Sequence, residues 1–185
     1  MGNFADWVSG KPAIEKRIVH IDLKGPKIPF ESFKKFIGIL ARWGINGVLV
    51  EYEHRLPYIP LKNQFPASER YTKSQLKELI AIAADNGIEW IPLVQSFGHV
   101  EYLSRLAGTE HLFENPDYPK QLCPLKRQVK KYLENLINIV CELHPESRYI
   151  HVGQDETFQL GFCPECREMV RKKGKIGFYL EHTGY

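Results

Sequence analysis

Apolar residues along this chain alternate between two patterns. Short, nearly unbroken apolar blocks are separated by longer stretches in which apolar residues recur every third or fourth position. The blocks read as strands: Arg17–Leu23, Gly47–Tyr52, Glu89–Gln95, and the opening of the stretch Arg148–Thr157. The longer stretches read as helices. Phe30, Phe33, Ile37, Leu40 and Ala41 predict the first, stopped by Gly44. Thr72-Lys73-Ser74-Gln75 is a capping box opening a second helix with an apolar stripe of Leu76, Leu79, Ile80 and Ala83, ended by Asn86-Gly87. Leu125, Val129, Tyr132, Leu136, Val140 and Leu143 predict a third over residues 125–143, closed by Pro145. Cys163-Pro164 predicts the start of a fourth, ending at Gly174 with Arg171-Lys172-Lys173 in its last turn, and residues 176–185 open a further helical segment. Pro92 weakens the third strand, since proline removes a ladder donor.

Strand and helix alternating four times, with strands apolar throughout, predict a parallel sheet with helices outside it. A (β/α)₈ TIM barrel typically takes ~250 residues and eight strands. The expected fold class is therefore α/β of the (β/α)₈ type, with about the first four β/α units present: residues 1–16 as a polar lead-in and 17–185 as a partial barrel domain. A small doubly wound sheet is the structural alternative. Open strand edges would offer a route to a homodimer.

Composition narrows the function. With 25 basic and 22 acidic residues the net charge is +3, spread along 185 residues, so neither nucleic acid nor an anionic membrane is an expected partner. No apolar run approaches the ~20 residues needed to cross a bilayer, and Met1-Gly2-Asn3-Phe4-Ala5-Asp6-Trp7 has no signal-peptide pattern. A cytoplasmic location is expected, with the four cysteines as thiols rather than a disulfide framework.

The chemistry-bearing residues gather at the strands' carboxyl ends, where such proteins build their sites. Asp22 closes the first strand, Glu51 and Glu53 follow the second, His99 the third, and Asp155-Glu156 the fourth. Each has a bland reading. Asp22 could cap a turn, Glu51 could pair with a lysine, His99 could be a structural histidine, and Asp155 could be a helix N-cap. Jointly they fit a pocket mouth better. The adjacency of Asp155 and Glu156 constrains the reaction. Two opposed glycosidase carboxyls stand ~5–5.5 Å or ~6.5–9.5 Å apart across the scissile bond. Neighbours in sequence approach from one side, which suits one acid plus one residue positioning a nucleophile carried by the substrate.

His151-Val152-Gly153-Gln154-Asp155-Glu156 resembles the His-x-Gly-Gly-Asp-Glu motif of family 20 glycoside hydrolases, the β-N-acetylhexosaminidases. Arg17–Gly25, Gly47–Glu53 and Ile91–His99 are similar to the intracellular hexosaminidase D branch. The resemblance implies a (β/α)₈ barrel and substrate-assisted retaining hydrolysis of terminal β-linked N-acetylglucosaminides or N-acetylgalactosaminides, without cofactor or metal. It implies that Glu156 is the general acid/base and that Asp155 orients the 2-acetamido group. It also implies substrate contacts from Arg17, His99 and His151, and more loosely from Glu51 or Glu53. Gln154 departs from the motif's second glycine. The tryptophans, tyrosine and further acid that complete the family's pocket come from strands five to eight.

Two other readings are open. His20, Asp22, His99, His151 and Asp155 could ligate a metal in a barrel hydrolase, and the chain could be a non-catalytic sugar-binding piece. Cys163-Pro164-Glu165-Cys166 is half of a zinc ribbon, for which Cys123 or Cys141 would have to supply more ligands. It reads first as two thiols at a loop and helix start.

Overall fold

The computed structural model describes residues 14–184, so most of the lead-in lies outside the described residues. The described chain divides into two compact units. The first, residues 14–57, 67–93 and 143–151, holds a parallel sheet in the order β1 (Ile18–Asp22), β2 (Gly47–Glu51), β3 (Glu89–Leu93). Asp22 aligns with Glu51, and Glu51 with Leu93. Helices α1 (Phe30–Arg42) and α2 (Lys73–Asp85) follow β1 and β2. Phe33, Ile37 and Leu40 of α1, and Leu76, Leu79 and Ala83 of α2, are buried, as the spacing predicts. The Thr72 capping box forms in both directions. Strand parity sends Val48, Val50 and Trp90 to the helix side, where Trp90 meets Phe33 with ring centroids 5.8 Å apart. Trp90 Nε1 donates to the Tyr52 hydroxyl (2.6 Å), which lies 2.7 Å from His144 Nε2, so this core carries a buried polar relay.

The expected fourth strand is a correction. Of that stretch only His151 pairs, in one parallel bridge to Leu93, with His151 N–H donating to the Pro92 carbonyl at 2.9 Å. The reason is Pro92 itself. In a strand, a residue's N–H and C=O point to the same side. The Pro92 carbonyl faces the fourth segment, so its missing donor is missing on that side alone. The β2–β3 ladder is untouched. The Tyr149 carbonyl, which a residue with an N–H would have served, takes the Ser147 hydroxyl instead at 2.9 Å, while the same hydroxyl reaches the Trp90 carbonyl at 2.7 Å.

The second unit comprises residues 58–66, 94–142 and 152–184. It contains most of α3 (Arg127–Leu143) and all of α4 (Pro164–Thr183), with short 3₁₀ turns at Glu101–Arg105 and Glu110–Leu112 between β3 and α3. Val129, Tyr132, Leu136 and Val140 are buried, but Leu125 lies before the helix and is exposed. The predicted break at Gly174 is real: its φ of 72° and ψ of 160° split α4. That ψ is extended rather than left-handed helical.

Candidate active site

In the first unit, Asp22 closes the turn after β1 by accepting the Lys24 N–H at 2.8 Å. Glu51 is buried, its Oε2 3.1 Å from His20 Nε2 on the same face of the sheet. Glu53 is buried with φ of 46°, its carboxylate 3.3 Å from Lys24 Nζ. Burial works against the Lys24 charge, but Glu53, Asp22 and Glu51 together hold its pKa above the ordinary value. Arg55 is buried here. Its guanidinium donates to the carbonyls of Leu23 (3.3 Å), Glu69 (2.7 Å) and Gly25, fixing the turn that follows β1.

Arg17, which the resemblance makes a substrate contact, is held by backbone carbonyls. It precedes β1, at the end of the sheet opposite Asp22 and Glu51, and its guanidinium is committed to the carbonyls of Gly44 (2.5 Å), Ile14 (2.7 Å) and Glu15 (3.1 Å). It caps the end of α1 and anchors the strand's entry. His151 is exposed, with its backbone in the bridge to β3.

In the second unit the loops after β3 and after His151 are laced together. Ser96 N–H donates to the Val152 carbonyl (3.1 Å), and Gln154 N–H approaches Gln95 Oε1 at 3.4 Å. Two glycines make the lacing close. A β-carbon on Gly153 (φ 66°) would stand 1.9 Å from Gln95 Oε1, and one on Gly98 would stand 2.3 Å from the Asp155 carbonyl oxygen. The result carries His99 to both acids: its Nε2 is 3.2 Å from Asp155 Oδ2 and 3.4 Å from Glu156 Oε2. Both carboxylate side chains are 61% exposed. Glu156 also lines an open cavity of about 360 Å³ with Phe158, Ile176, Tyr179 and Lys175. Among the described residues the non-glycine positions with positive φ are Glu53, His99, Gln154 and Glu156. All lie in loops that carry candidate residues, and such backbone persists where surroundings over-determine it. The alternative metal-hydrolase set does not assemble among the described residues: His20 is turned onto Glu51 and Asp22 is spent on its turn.

Sequence reasoning missed Glu114, which looks like any acid in a polar loop. It is buried. Its Oε1 accepts the N–H groups of Gly161 (2.7 Å), Phe162 (2.6 Å) and Cys163 (3.3 Å), and its Oε2 accepts from Gln121 Nε2 at 2.8 Å. Burial nonetheless pushes its pKa above the ordinary value, against those donors. Beside it, Cys123 and Cys166 stand 3.6 Å apart, sulfur to sulfur. A hydrogen bond from Cys166 draws the Cys123 thiol down to about 6, and that partnership pushes Cys166 up.

Known proteins match this chain. The model of the family described as "Glycosyl hydrolase family 20, catalytic domain" matches residues 57–182. Hexosaminidase D of Bos taurus is 36% identical over 170 residues, covering 90% of this chain and 49% of that protein. Hexosaminidase D of Homo sapiens is 36% identical over 156 residues, covering 83% and 32%. The chain thus spans about half or less of the length of these relatives. Among solved structures, a crystal structure of a beta-N-acetylhexosaminidase aligns with a TM-score of 0.72 at 23% identity, covering 93% of this chain and 45% of that one. A mutant Streptomyces plicatus beta-hexosaminidase in complex with product (GlcNAc) aligns with a TM-score of 0.65 at 20% identity, covering 91% and 38%. At these identities the structural likeness is one of fold, of the TIM-barrel type. The family match spans more than half of the chain and contains His99, Asp155 and Glu156, and the chain belongs to glycosyl hydrolase family 20.

Proposed function

We propose that this chain supplies the first three strands with their helices, and the acid pair, of a barrel that hydrolyses terminal β-linked N-acetylhexosamine by substrate-assisted retention. The observation that carries the reading is the single imidazole of His99 within 3.2 and 3.4 Å of two adjacent carboxylates. Both acids then address one side of the substrate. Glu156, reaching the cavity wall, protonates the leaving glycosidic oxygen. Asp155 holds the 2-acetamido N–H so that the acetamido carbonyl oxygen attacks the anomeric carbon. The bond to the leaving oxygen breaks as the oxazolinium ring closes. Glu156, now a carboxylate, takes a proton from the water that reopens the ring. His99 positions the pair, its Nε2 within ion-pair distance of both. Glu51, Glu53 and His151 are proposed as further contacts to sugar hydroxyls.

The substrates proposed are β-linked N-acetylglucosaminides or N-acetylgalactosaminides. The Streptomyces relative's product complex and the family assignment support that class. The proposed compartment is the cytosol, which keeps thiols such as Cys123 and Cys166 reduced, and self-association through an open sheet edge is the proposed route to a homodimer. A second reading, a sugar-binding piece without turnover, is favoured by the exposure of both carboxylates, since catalytic acids work best walled from water.

The test compares an aryl β-N-acetylglucosaminide with the matching aryl β-glucoside, using the wild type, Glu156→Gln and Asp155→Asn. Hydrolysis of the acetamido sugar alone, lost in both variants, is the expected result. Equal hydrolysis of both glycosides would overturn the substrate-assisted mechanism. Binding of N-acetylglucosamine by a folded chain that hydrolyses neither would establish the second reading.

A further inference from the structure

Three cysteines distant in sequence meet in the second unit. The sulfurs of Cys123, Cys163 and Cys166 all lie within 4.8 Å of one another, and among the described residues no other group of three or more His, Cys, Asp or Glu side chains gathers donor atoms in this way. We propose that they form a zinc site whose ion ties together the two loops that carry His99 and the Asp155-Glu156 pair. The function proposed above needs no metal, and this inference does not rest on it.

The geometry suits the ion. Zinc binds thiolate sulfur at about 2.3 Å, which puts tetrahedral sulfurs about 3.8 Å apart. Cys123 and Cys166 are already 3.6 Å apart. Cys163 is the N-cap of α4 and its sulfur accepts the Cys166 N–H at 3.4 Å, the turn by which a Cys-x-x-Cys folds both sulfurs to one side. Cys123 is fixed separately. Its N–H donates to the Leu112 carbonyl at 2.9 Å, next to the Phe113–Leu122 antiparallel bridge. Glu114 holds the Gly161–Cys163 backbone in place from beneath. Its oxygens take these donors, Gln121 and the Cys166 thiol, so Glu114 already touches one of the three ligands, and water fills the fourth coordination position on the part-buried Cys163 side. Cys141, the chain's remaining cysteine, is exposed and outside the group.

The position gives the site a purpose. Leu122 N–H, next to Cys123, donates to the Phe97 carbonyl at 2.9 Å, two residues before His99. Cys163 follows Glu156 by one short loop. Phe97, Cys123, Leu160 and Cys166 pack in one apolar cluster with Phe178. An ion here cross-links both acid-bearing and histidine-bearing loops to α4. On binding, the sulfurs still protonated give their protons to solvent and three thiolates take the ion, so acid should release it.

The test uses the whole chain, purified under reductant. One zinc per chain is expected by elemental analysis. Replacement by Co²⁺ should give the sulfur-to-cobalt charge-transfer absorption of a tetrahedral thiolate site. Cys123→Ser, Cys163→Ser and Cys166→Ser should each weaken zinc binding by at least about tenfold, while Cys141→Ser leaves it unchanged. With zinc bound, alkylation should reach Cys141 alone. The circular dichroism of each variant checks that it is folded. Should a serine variant fail to fold, the wild type's cobalt spectrum and alkylation pattern still decide. Metal-free protein with no cobalt–sulfur band, or four equally reactive thiols in zinc, would overturn the proposal. Isolation of a Cys123–Cys166 disulfide with no metal affinity would overturn it in favour of a redox pair.

Discussion

Gly98 lies directly against the backbone of Asp155: a β-carbon at Gly98 would sit 2.3 Å from the Asp155 carbonyl oxygen. The obstruction is backbone, which cannot swing aside as a flexible side chain could. Gly98→Ala must therefore push the Asp155-Glu156 loop away from His99. Overpacking of this kind costs about 1–3 kcal/mol. Displacing a reacting group by about 1 Å can cost on the order of 10²-fold in rate. The expected outcome is a lowered melting temperature with glycosidase turnover reduced far beyond what the stability loss explains. A Gly98→Ala variant with unchanged turnover would show that the contact does not position the acids.

Much of this arrangement was legible in the sequence because it follows from period and punctuation. The helix stripes at Phe33–Leu40 and Leu76–Ala83, and the capping box at Thr72, came through because each depends on neighbours a few residues away. The carboxyl ends of the strands were legible for the same reason. The anchoring of Arg17 was not legible, because its partners, the carbonyls of Gly44, Ile14 and Glu15, are set by how the chain turns back on the strand. The fourth strand was overestimated because Pro92 acts across the sheet on residues more than fifty positions away. Glu114 could not have been found. Its importance comes from three backbone N–H groups, and backbone groups leave no mark in a sequence.

Gln154 stands where the family motif has its second glycine, and its φ is 83°. That conformation is sterically unfavourable for a residue with a β-carbon. Nothing on the Gln154 backbone asks for a side chain: its carbonyl accepts from the Tyr179 hydroxyl at 2.9 Å, which any residue could do. Gln154→Gly should relieve strain worth roughly 1 kcal/mol, offset in part by the greater freedom of glycine in the unfolded chain. Gln154→Val should cost about 1–2 kcal/mol because branching at the β-carbon worsens the same clash. Urea unfolding of the two variants checks this, and a glycine variant less stable than the valine one would contradict it.

Glu114 is buried and accepts four N–H donors, three of them from the part-buried Gly161–Cys163 backbone and one from the buried Gln121 amide. Glu114→Ala would leave them unpaired, at a cost of about 1–3 kcal/mol for each buried group that finds no substitute. We expect a loss of at least about 3 kcal/mol, near the upper end for a point substitution. Glu114→Gln retains one oxygen for the Gly161–Cys163 backbone but turns an amide toward Gln121, whose own amide already faces it. It should be intermediate. The Cys163 loop is where disorder should appear first, and hydrogen exchange at Gly161, Phe162 and Cys163 reads it directly.

His182 ties stability to acid. Its ring lies 4.2 Å from that of Phe97, centroid to centroid, and bonds to the Ser96 backbone. Burial lowers its pKa below the ordinary histidine value, the Ser96 bond works the other way, and the Lys130 charge adds to the lowering. Glu134 and Glu181 line a cavity together with His182, separate from the one at Glu156, and are the carboxylates that could oppose it. The folded state therefore releases the proton at a lower pH than the unfolded chain does. Above about pH 7 both states are neutral at this position and it contributes no pH dependence. As the pH falls through the ordinary histidine value, the unfolded chain binds a proton that the folded one refuses, so stability declines until the lowered folded value is passed. His182→Gln keeps a hydrogen-bond donor for Ser96 and has nothing to titrate. Its melting temperature, measured between about pH 7 and pH 5, should fall less steeply than that of the wild type. Equal slopes would mean that His182 is protonated in the fold as readily as in solution, and that its burial against Phe97 is not what the acid response reads.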